Sequence, residues 1–330
     1  MSLSSLYNSY PGLYIAQSFL HSLTTALIVD AAIRVWKIEH PAMRQKFRFF
    51  IIFFPVVSYP LYQLVNPDRG SLSFRLGALF DSSRWLNLEL LSGVSAGIIF
   101  IVLLALTTLL FFSQELVPVV QHALQSRREE LLGEKLSEDS PVMRALTAFT
   151  DVKPDVFIIQ DDDLVLFVTT GKKPALYLST GSMRALSEDE LHTAIAHELA
   201  HIERNKRPLL VITFLLRVLQ FFNIVSLIEF RRIVQEEEII CDDTAVTQTG
   251  KPQALAATLR KFHPENDGEA DPQPNAAINT RERMEQYGHS LLIESRITRL
   301  ETYDEHPRTG GVIPLLITMA AAVALNYSIV

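Results

Sequence analysis

At 330 residues the chain has room for about two domains; its net charge is −7, and 48% of it is hydrophobic. The acidic balance, with no RNA- or DNA-binding motif, excludes a nucleic-acid partner. The single cysteine, Cys241, excludes an internal disulfide and fits a reducing compartment for the folded part, while the positive mean hydropathy points to a membrane.

Met1 to Tyr10 offers no basic residue before the first apolar run, so no cleavable signal peptide is expected. The N-terminal membrane region, 1–112, reads as three spans. Tyr14 to Trp36 is long enough to cross about 30 Å of hydrocarbon as a helix and carries His21 and Asp30, the latter expected near an interface beside Arg34. The loop after it sets Lys37, Arg44, Lys46 and Arg48 against Glu39, which makes it cytoplasmic by the positive-inside rule and puts the N-terminus outside. Phe49 to Val65 (49–65) is a shorter span interrupted by Pro55 and Pro60. The loop from Asn66 to Glu89 has no basic excess and reads as external; Leu90 to Phe112 (90–112) returns the chain to the cytoplasm.

The polarity of 113–310 is that of a folded domain. Leu116 to Leu136 reads as a juxtamembrane helix. Val156 to Gln160 and Leu164 to Thr170, separated by Asp161, Asp162 and Asp163, give a hairpin signal, with the aspartates as turn residues, and Ala175 to Thr180 reads as a third strand. An antiparallel sheet edge beside the next helix is a place for an extended peptide to pair.

That helix is Leu191 to Asn205, LHTAIAHELAHIERN. Ser187 to Glu190 forms an S-x-x-E capping box with an acidic first turn, and Leu191, Ile195, Leu199 and Ile202 make an apolar stripe. His197 and His201, spaced i and i+4, lie about 40° apart around a helix, so both imidazoles can reach one metal ion. Glu198 follows the first of them, where a carboxylate can act on water at that ion. His192, on another part of the helix surface, is not expected to bind metal.

Pro208 to Phe230 has the hydropathy of a further span but contains Arg217 and Asn223. A single crossing would carry everything after it some 30 Å from His201. Segment 208–230 therefore reads as a bent hairpin or interfacial, re-entrant pair broken near Asn223. A catalytic zinc takes three protein ligands and leaves the fourth position open. Glu236, Glu237, Glu238, Asp242 and Asp243 are the carboxylates available downstream. Glu238 and Asp242 stand one helical turn apart on one face, which permits Glu238 to bind while Asp242 accepts a hydrogen bond from a ligand histidine.

HELAH, an apolar stretch, and E-I-I-C-D-D from Glu238 to Asp243 resemble the BlaR/MecR-type membrane metallopeptidases, and are similar to the HtpX and CAAX prenyl endopeptidase group. The preceding ALYLSTGSMRALSEDELHTAIAHELAH is similar to both, so the likeness covers roughly Val156 to Leu300. The resemblance implies an α+β integral membrane protein with a cytoplasmic minigluzincin-like domain, a small antiparallel sheet against the HExxH helix. It implies one catalytic Zn²⁺ on His197, His201 and Glu238, with Glu198 as general base and Asp242 and Arg296 in support. BlaR-type receptors carry an external penicillin-binding domain after their last span; this sequence shows none, so beta-lactam sensing does not carry over.

Lys251 to Gln286 reads as a helix, Ala254 to Phe262, followed by a Pro-, Asp- and Gly-rich loop suited to a lid or gate. GHSLLIESRITRL is similar to the H-P-x-x-x-x-R-I-x-x-L stretch of HtpX-type domains, matching His289, Arg296, Ile297 and Leu300, with Ser290 where proline is usual. His289 then either stabilises an oxyanion or is a plain surface histidine. In 312–330, Val312 to Tyr327 forms a last, Ala-rich span that takes the chain back outside.

The expected function is a zinc metalloendopeptidase of the plasma or inner membrane. It is multi-pass, with both termini external, and cuts a protein or peptide substrate, a transcriptional repressor or a membrane protein, at the cytoplasmic face. The rival from another class is a non-catalytic zinc-containing membrane receptor or scaffold.

Overall fold

The computed structural model describes residues 9–91, 93–117, 134–136, 154–169, 174–204, 208–263, 292–304 and 311–330. Its helices include, in chain order, α1 (Tyr10–Val35), α2 (Pro41–Val65), α3 (Ala96–Phe111), α4 (Thr180–Ala185), α5 (Glu188–Arg204), α6 (Leu209–Leu219), α7 (Ile224–Thr249), α8 (Pro252–Phe262), α9 (292–301) and α10 (Val312–Tyr327). The strands are β1 (Glu89–Leu91), β2 (Val94–Ser95), β3 (Glu134–Lys135), β4 (Asp155–Ile159), β5 (Leu166–Thr169) and β6 (Ala175–Ser179). The chain is thus an α+β membrane protein, in which α1, α2 and the stretch Ala96–Gln114 are long and apolar enough to cross a bilayer.

Two compact units emerge: Met1–Glu130 with Pro208–Glu237 and Pro307–Val330, and Leu131–Arg207 with Glu238–His306. In the first, α1, α2, α10 and the start of α7 surround a core that includes Val29, Phe47, Ile51, Phe54, Val225 and Ala322. The second span begins at Pro41, eight residues before the expected Phe49, because Pro41 sits in the first turn, where a missing N–H costs nothing. Pro55 and Pro60 stay inside it. Pro60 has no N–H to offer the carbonyl of Val56, and the Tyr14 hydroxyl donates to that oxygen at 3.2 Å. The third helix starts at Ala96 rather than Leu90, since β1 and β2 pair as a short hairpin. The ion-pair partners of Asp30 are Arg232 at 3.3 Å and Arg48 at 3.6 Å.

The greasy stretch after Pro208 is two helices, α6 and α7, joined through Gln220–Asn223. Arg217, Gln220 and Asn223 are buried there and each makes hydrogen bonds. The Arg217 guanidinium donates to Gln220 O at 2.9 Å and lies over the Phe111 ring. Gln220 donates to Ile52 O at 2.7 Å, and Asn223 to Ser22 Oγ at 2.6 Å.

The second unit holds a four-stranded sheet in the order β3–β4–β6–β5. The expected hairpin of β4 with β5 does not form: β6 lies between them, parallel to β4 and antiparallel to β5, so the sheet is mixed. Buried Val156 and Leu176 from one sheet face pack on Ile195, Leu199 and Ile202 of α5, the apolar stripe read in the sequence. Glu134–Lys135, expected within a helix, is strand β3, because its backbone bonds go to β4, as when Leu136 N donates to Val156 O at 2.9 Å. The remainder of that expected helix, the loop at 264–286 and His289 lie outside the described residues.

Candidate metal centre

The site is assembled by α5 and the C-terminal half of α7. The box at the start of α5 forms as its sequence dictates: Ser187 Oγ accepts from Glu190 N at 3.3 Å, and Glu190 Oε2 accepts from Ser187 N at 2.7 Å. Lys261 of α8 adds an ion pair to Glu190 at 2.7 Å. Small Ala196 packs against Ala245, Val246, Leu255 and Ala256, which lets α7 and α8 approach closely.

Two turns on, His197 Nε2 and His201 Nε2 stand 3.2 Å apart. Each lies 3.6 Å from a carboxylate oxygen of Glu238. These edges match the roughly 3.3 Å separating ligand atoms around a tetrahedral ion with bonds near 2.0 Å. His197, His201 and Glu238 are the group of three that can hold one metal ion, the ligand atoms lying within 4.8 Å of one another. His192 is not among them. Two facing nitrogens and an anionic carboxylate, a donor set suited to a divalent cation, fit the group that the motif implies.

The carboxylate run sorts by position along α7. Glu236 and Glu237 turn away, to Arg44 at 3.0 Å and Gln45 at 2.8 Å. Asp242 Oδ1 meets His197 Nδ1 at 3.0 Å in a bent approach, the contact needed to orient the imidazole. Arg296 of α9 grips Asp242 with two 2.7 Å bonds and reaches Glu238 Oε2 at 3.1 Å. Asp243 pairs with Arg299 at 2.5 and 2.9 Å.

These contacts set the electrostatics. Burial pulls His197 down, but Asp242 and Glu238 outweigh it and lift the imidazole to about 9. Burial raises Glu238, yet the His197 bond and the charges of His201, His197 and Arg296 hold it at about 2. Asp242, also opposed by burial, is held well below the carboxylate range by Arg296 and His197. Glu198 differs: burial, helped by the Glu238 charge, raises it to about 7.

Sequence reasoning overlooked two neighbours. Val165 O accepts from Ser179 N at 2.9 Å, so positions 165, 167 and 169 of the β5 segment bond to β6, while Leu166 and Val168 turn their backbone groups outward. The outward N–H of Val168 faces the Glu198 carboxylate and opposes the rise that burial imposes on it. No strand among the described residues covers that edge. The other neighbour is Cys241, fully buried, with Sγ 3.5 Å from His201 Nδ1. Its signal was its place three residues after Glu238, on the same helical face.

The family model for the BlaR1 peptidase M56 matches residues 88–285. A Protease HtpX homolog of Streptococcus pyogenes serotype M49 (strain NZ131) is 24% identical, with 73% of this chain and 99% of that protein covered. Protease HtpX homolog 1 of Streptomyces coelicolor is 24% identical over 39% of this chain and 54% of its own length. No solved structure matches the chain. The family match takes in more than half of the residues and spans the histidine pair, the carboxylates of α7 and helix α3: the chain belongs to the BlaR1 M56 peptidases and is a membrane protease.

Proposed function

We propose that the chain is a zinc-dependent endopeptidase in which His197, His201 and Glu238 hold the ion and Glu198 is the general base. The observation that carries this reading is the convergence of two imidazole nitrogens and one carboxylate at 3.2–3.6 Å, beside a buried glutamate from the same helix. A bound zinc supplies Lewis acidity, polarising the scissile carbonyl and lowering the pKa of water. Glu198 accepts the proton of the attacking water and delivers it to the leaving amine, a task suited to a carboxylate raised to about 7. Asp242 keeps the His197 ring in its binding tautomer, and Arg296 holds Asp242 ionised. An extended segment of substrate pairs with the outward backbone groups of Leu166 and the outward carbonyl of Val168, which brings its peptide bond beside Glu198. His289 takes the oxyanion, on the strength of the family resemblance.

The substrate is a protein, either a repressor or a membrane protein, cut at the cytoplasmic face. The basic excess of Lys37, Arg44, Lys46 and Arg48, between the end of α1 and the apolar part of α2, supports that orientation, with both termini external. The test is metal analysis of the full-length protein, combined with casein cleavage and autolysis, in wild type and Glu198→Gln. One zinc per chain in both, with cleavage by the wild type alone, is expected. Cleavage by Glu198→Gln at the parental rate sinks the base assignment. Zinc in both with cleavage in neither turns the reading to a zinc-containing receptor or scaffold.

A further inference from the structure

The first unit carries a second polar site, unrelated to the histidine pair. A cavity of about 370 Å³ opens where the C-terminal turn of α1, the first turns of α2 and the N-terminal half of α7 meet, and Asp30, Arg34, Arg44, Arg48, Arg232 and Glu236 line it. Its charges are layered. The inner layer is Arg48, 8% exposed, between Glu229 at 2.9 Å and Glu236 at 3.6 Å, whose side chains are 2% and 4% exposed. The outer layer is cationic: Arg44 is 33% exposed and Arg232 39%, with Asp30, 29% exposed, as the acid among them. Arg34 joins this layer exposed, and its side chain has no partner among the described residues. Arg44 is held by Glu236 at 3.0 Å and Arg232 by Glu229 at 2.7 Å, so the cavity as a whole sets four guanidiniums against three carboxylates, with Arg34 the cation at its mouth that has no acid partner among the described residues.

We propose that this cavity binds a phosphate group, that of an anionic phospholipid headgroup at the membrane surface. Three features argue for it. Guanidinium forks match phosphate oxygens in geometry as well as charge. The cavity lies at the ends of α1 and α2, two helices able to span a bilayer, where headgroups are found. Exposed Leu27 and Val35 flank it on α1, so an acyl chain whose headgroup sits in the cavity has apolar helix surface to follow. The buried acids oppose any deeper penetration, which suits a headgroup that enters from the surface rather than a soluble ligand enclosed by protein.

The experiment measures thermal unfolding and lipid binding of the full-length protein in detergent with phosphatidylglycerol, phosphatidylcholine or inorganic phosphate. Arg34→Gln and Arg34→Glu are the variants, because Arg34 touches neither the inner ion pairs nor the histidine site. Phosphatidylglycerol is expected to raise the melting temperature and phosphatidylcholine to leave it unmoved. Arg34→Gln is expected to weaken phosphatidylglycerol binding about fivefold, the worth of one surface cation at an anionic lipid, and Arg34→Glu further. Phosphatidylglycerol binding that millimolar inorganic phosphate does not displace supports the lipid as source. Stabilisation by inorganic phosphate itself, lost in Arg34→Glu, supports the same phosphate chemistry with the free anion as source. Equal effects of the two lipids, or wild-type binding of phosphatidylglycerol by both Arg34 variants, overturn the proposal.

Discussion

Asp242 and Arg296 close on each other through two parallel 2.7 Å bonds, and each also touches a member of the histidine site: Asp242 touches His197, and Arg296 touches Glu238. The pair is buried, with side-chain exposures of 2% and 14%, so neither charge can fall back on water. Removing one partner leaves the other uncompensated.

Arg296→Met should therefore cost about 3–5 kcal/mol in the stability of the second unit. Arg296→Lys, which keeps the charge but loses the fork, should fall between it and the wild type. The acid limb should change with it. Asp242 is depressed in the fold, so its stabilisation is present above the usual carboxylate pKa of about 4 and lost as pH falls below that. Urea unfolding at neutral pH and well below pH 4 checks both points; an Arg296→Met protein as stable as its parent would show that the fork carries no structural weight.

How much of this was legible beforehand depended on how local the signal was. The S-x-x-E cap, the HExxH pair and the Glu238–Asp242 spacing depend on residues within one or two helical turns of each other, and their period survives in the sequence. The break at Asn223 could also be read, since Arg217 and Asn223 were conspicuous in an apolar run and are buried and bonded at the bend. Strand order could not. The alternation in Val156–Ile159 gives a face but not a neighbour, and the parallel pairing of Phe157 with Tyr177 spans twenty residues that include another strand. Arg296 approaches Asp242 from 54 positions away, a closure that no local pattern encodes.

Glu198→Gln should retain the metal and lose turnover by about 10²–10⁴-fold, the usual worth of a positioned base. Only the carboxylate form can accept a proton, so activity should fall as pH drops. Burial raises Glu198 to about 7 in the ion-free protein, and a cation nearby draws it lower, so the limb belongs below about pH 7. A kcat/KM profile of the wild type, flat down through the acidic range, would remove Glu198 from the role.

Gly181 tests the loop beside the sheet. A Cβ built there overlaps the backbone carbonyl of Asp162 and comes within 2.7 Å of Asp163 O. The loop is held to that spot by Gly181 N donating to Asp161 O at 2.8 Å and by the Thr180 hydroxyl donating to the same oxygen at 2.9 Å. Rigid backbone must move to admit even a methyl group, so Gly181→Ala should cost about 1–3 kcal/mol. Faster hydrogen exchange in 161–165 and 179–185, with α7 unaffected, is the expected pattern. Unchanged exchange would mean that the loop yields freely.

Binding of the metal should release protons. In the ion-free protein His197 is held protonated up to about 9 by Asp242 and Glu238 against the pull of burial, whereas a ligand imidazole must give up its Nε2 proton. Between pH 7 and 9, then, each ion that binds should displace about one proton from His197, and affinity should rise roughly tenfold per pH unit before levelling off above about 9. Glu238, held at about 2, is already ionised in this window and contributes none. The fold's own stability moves the opposite way: a raised imidazole stabilises fully below its unfolded pKa of about 6.5, and that contribution is lost as pH climbs through about 9. Calorimetric zinc titrations of the stripped protein in two buffers of different ionisation enthalpy read the proton count directly. A pH-independent affinity with no proton released would mean that His197 is neutral before the ion arrives, and that the Asp242 contact orients the ring without charging it.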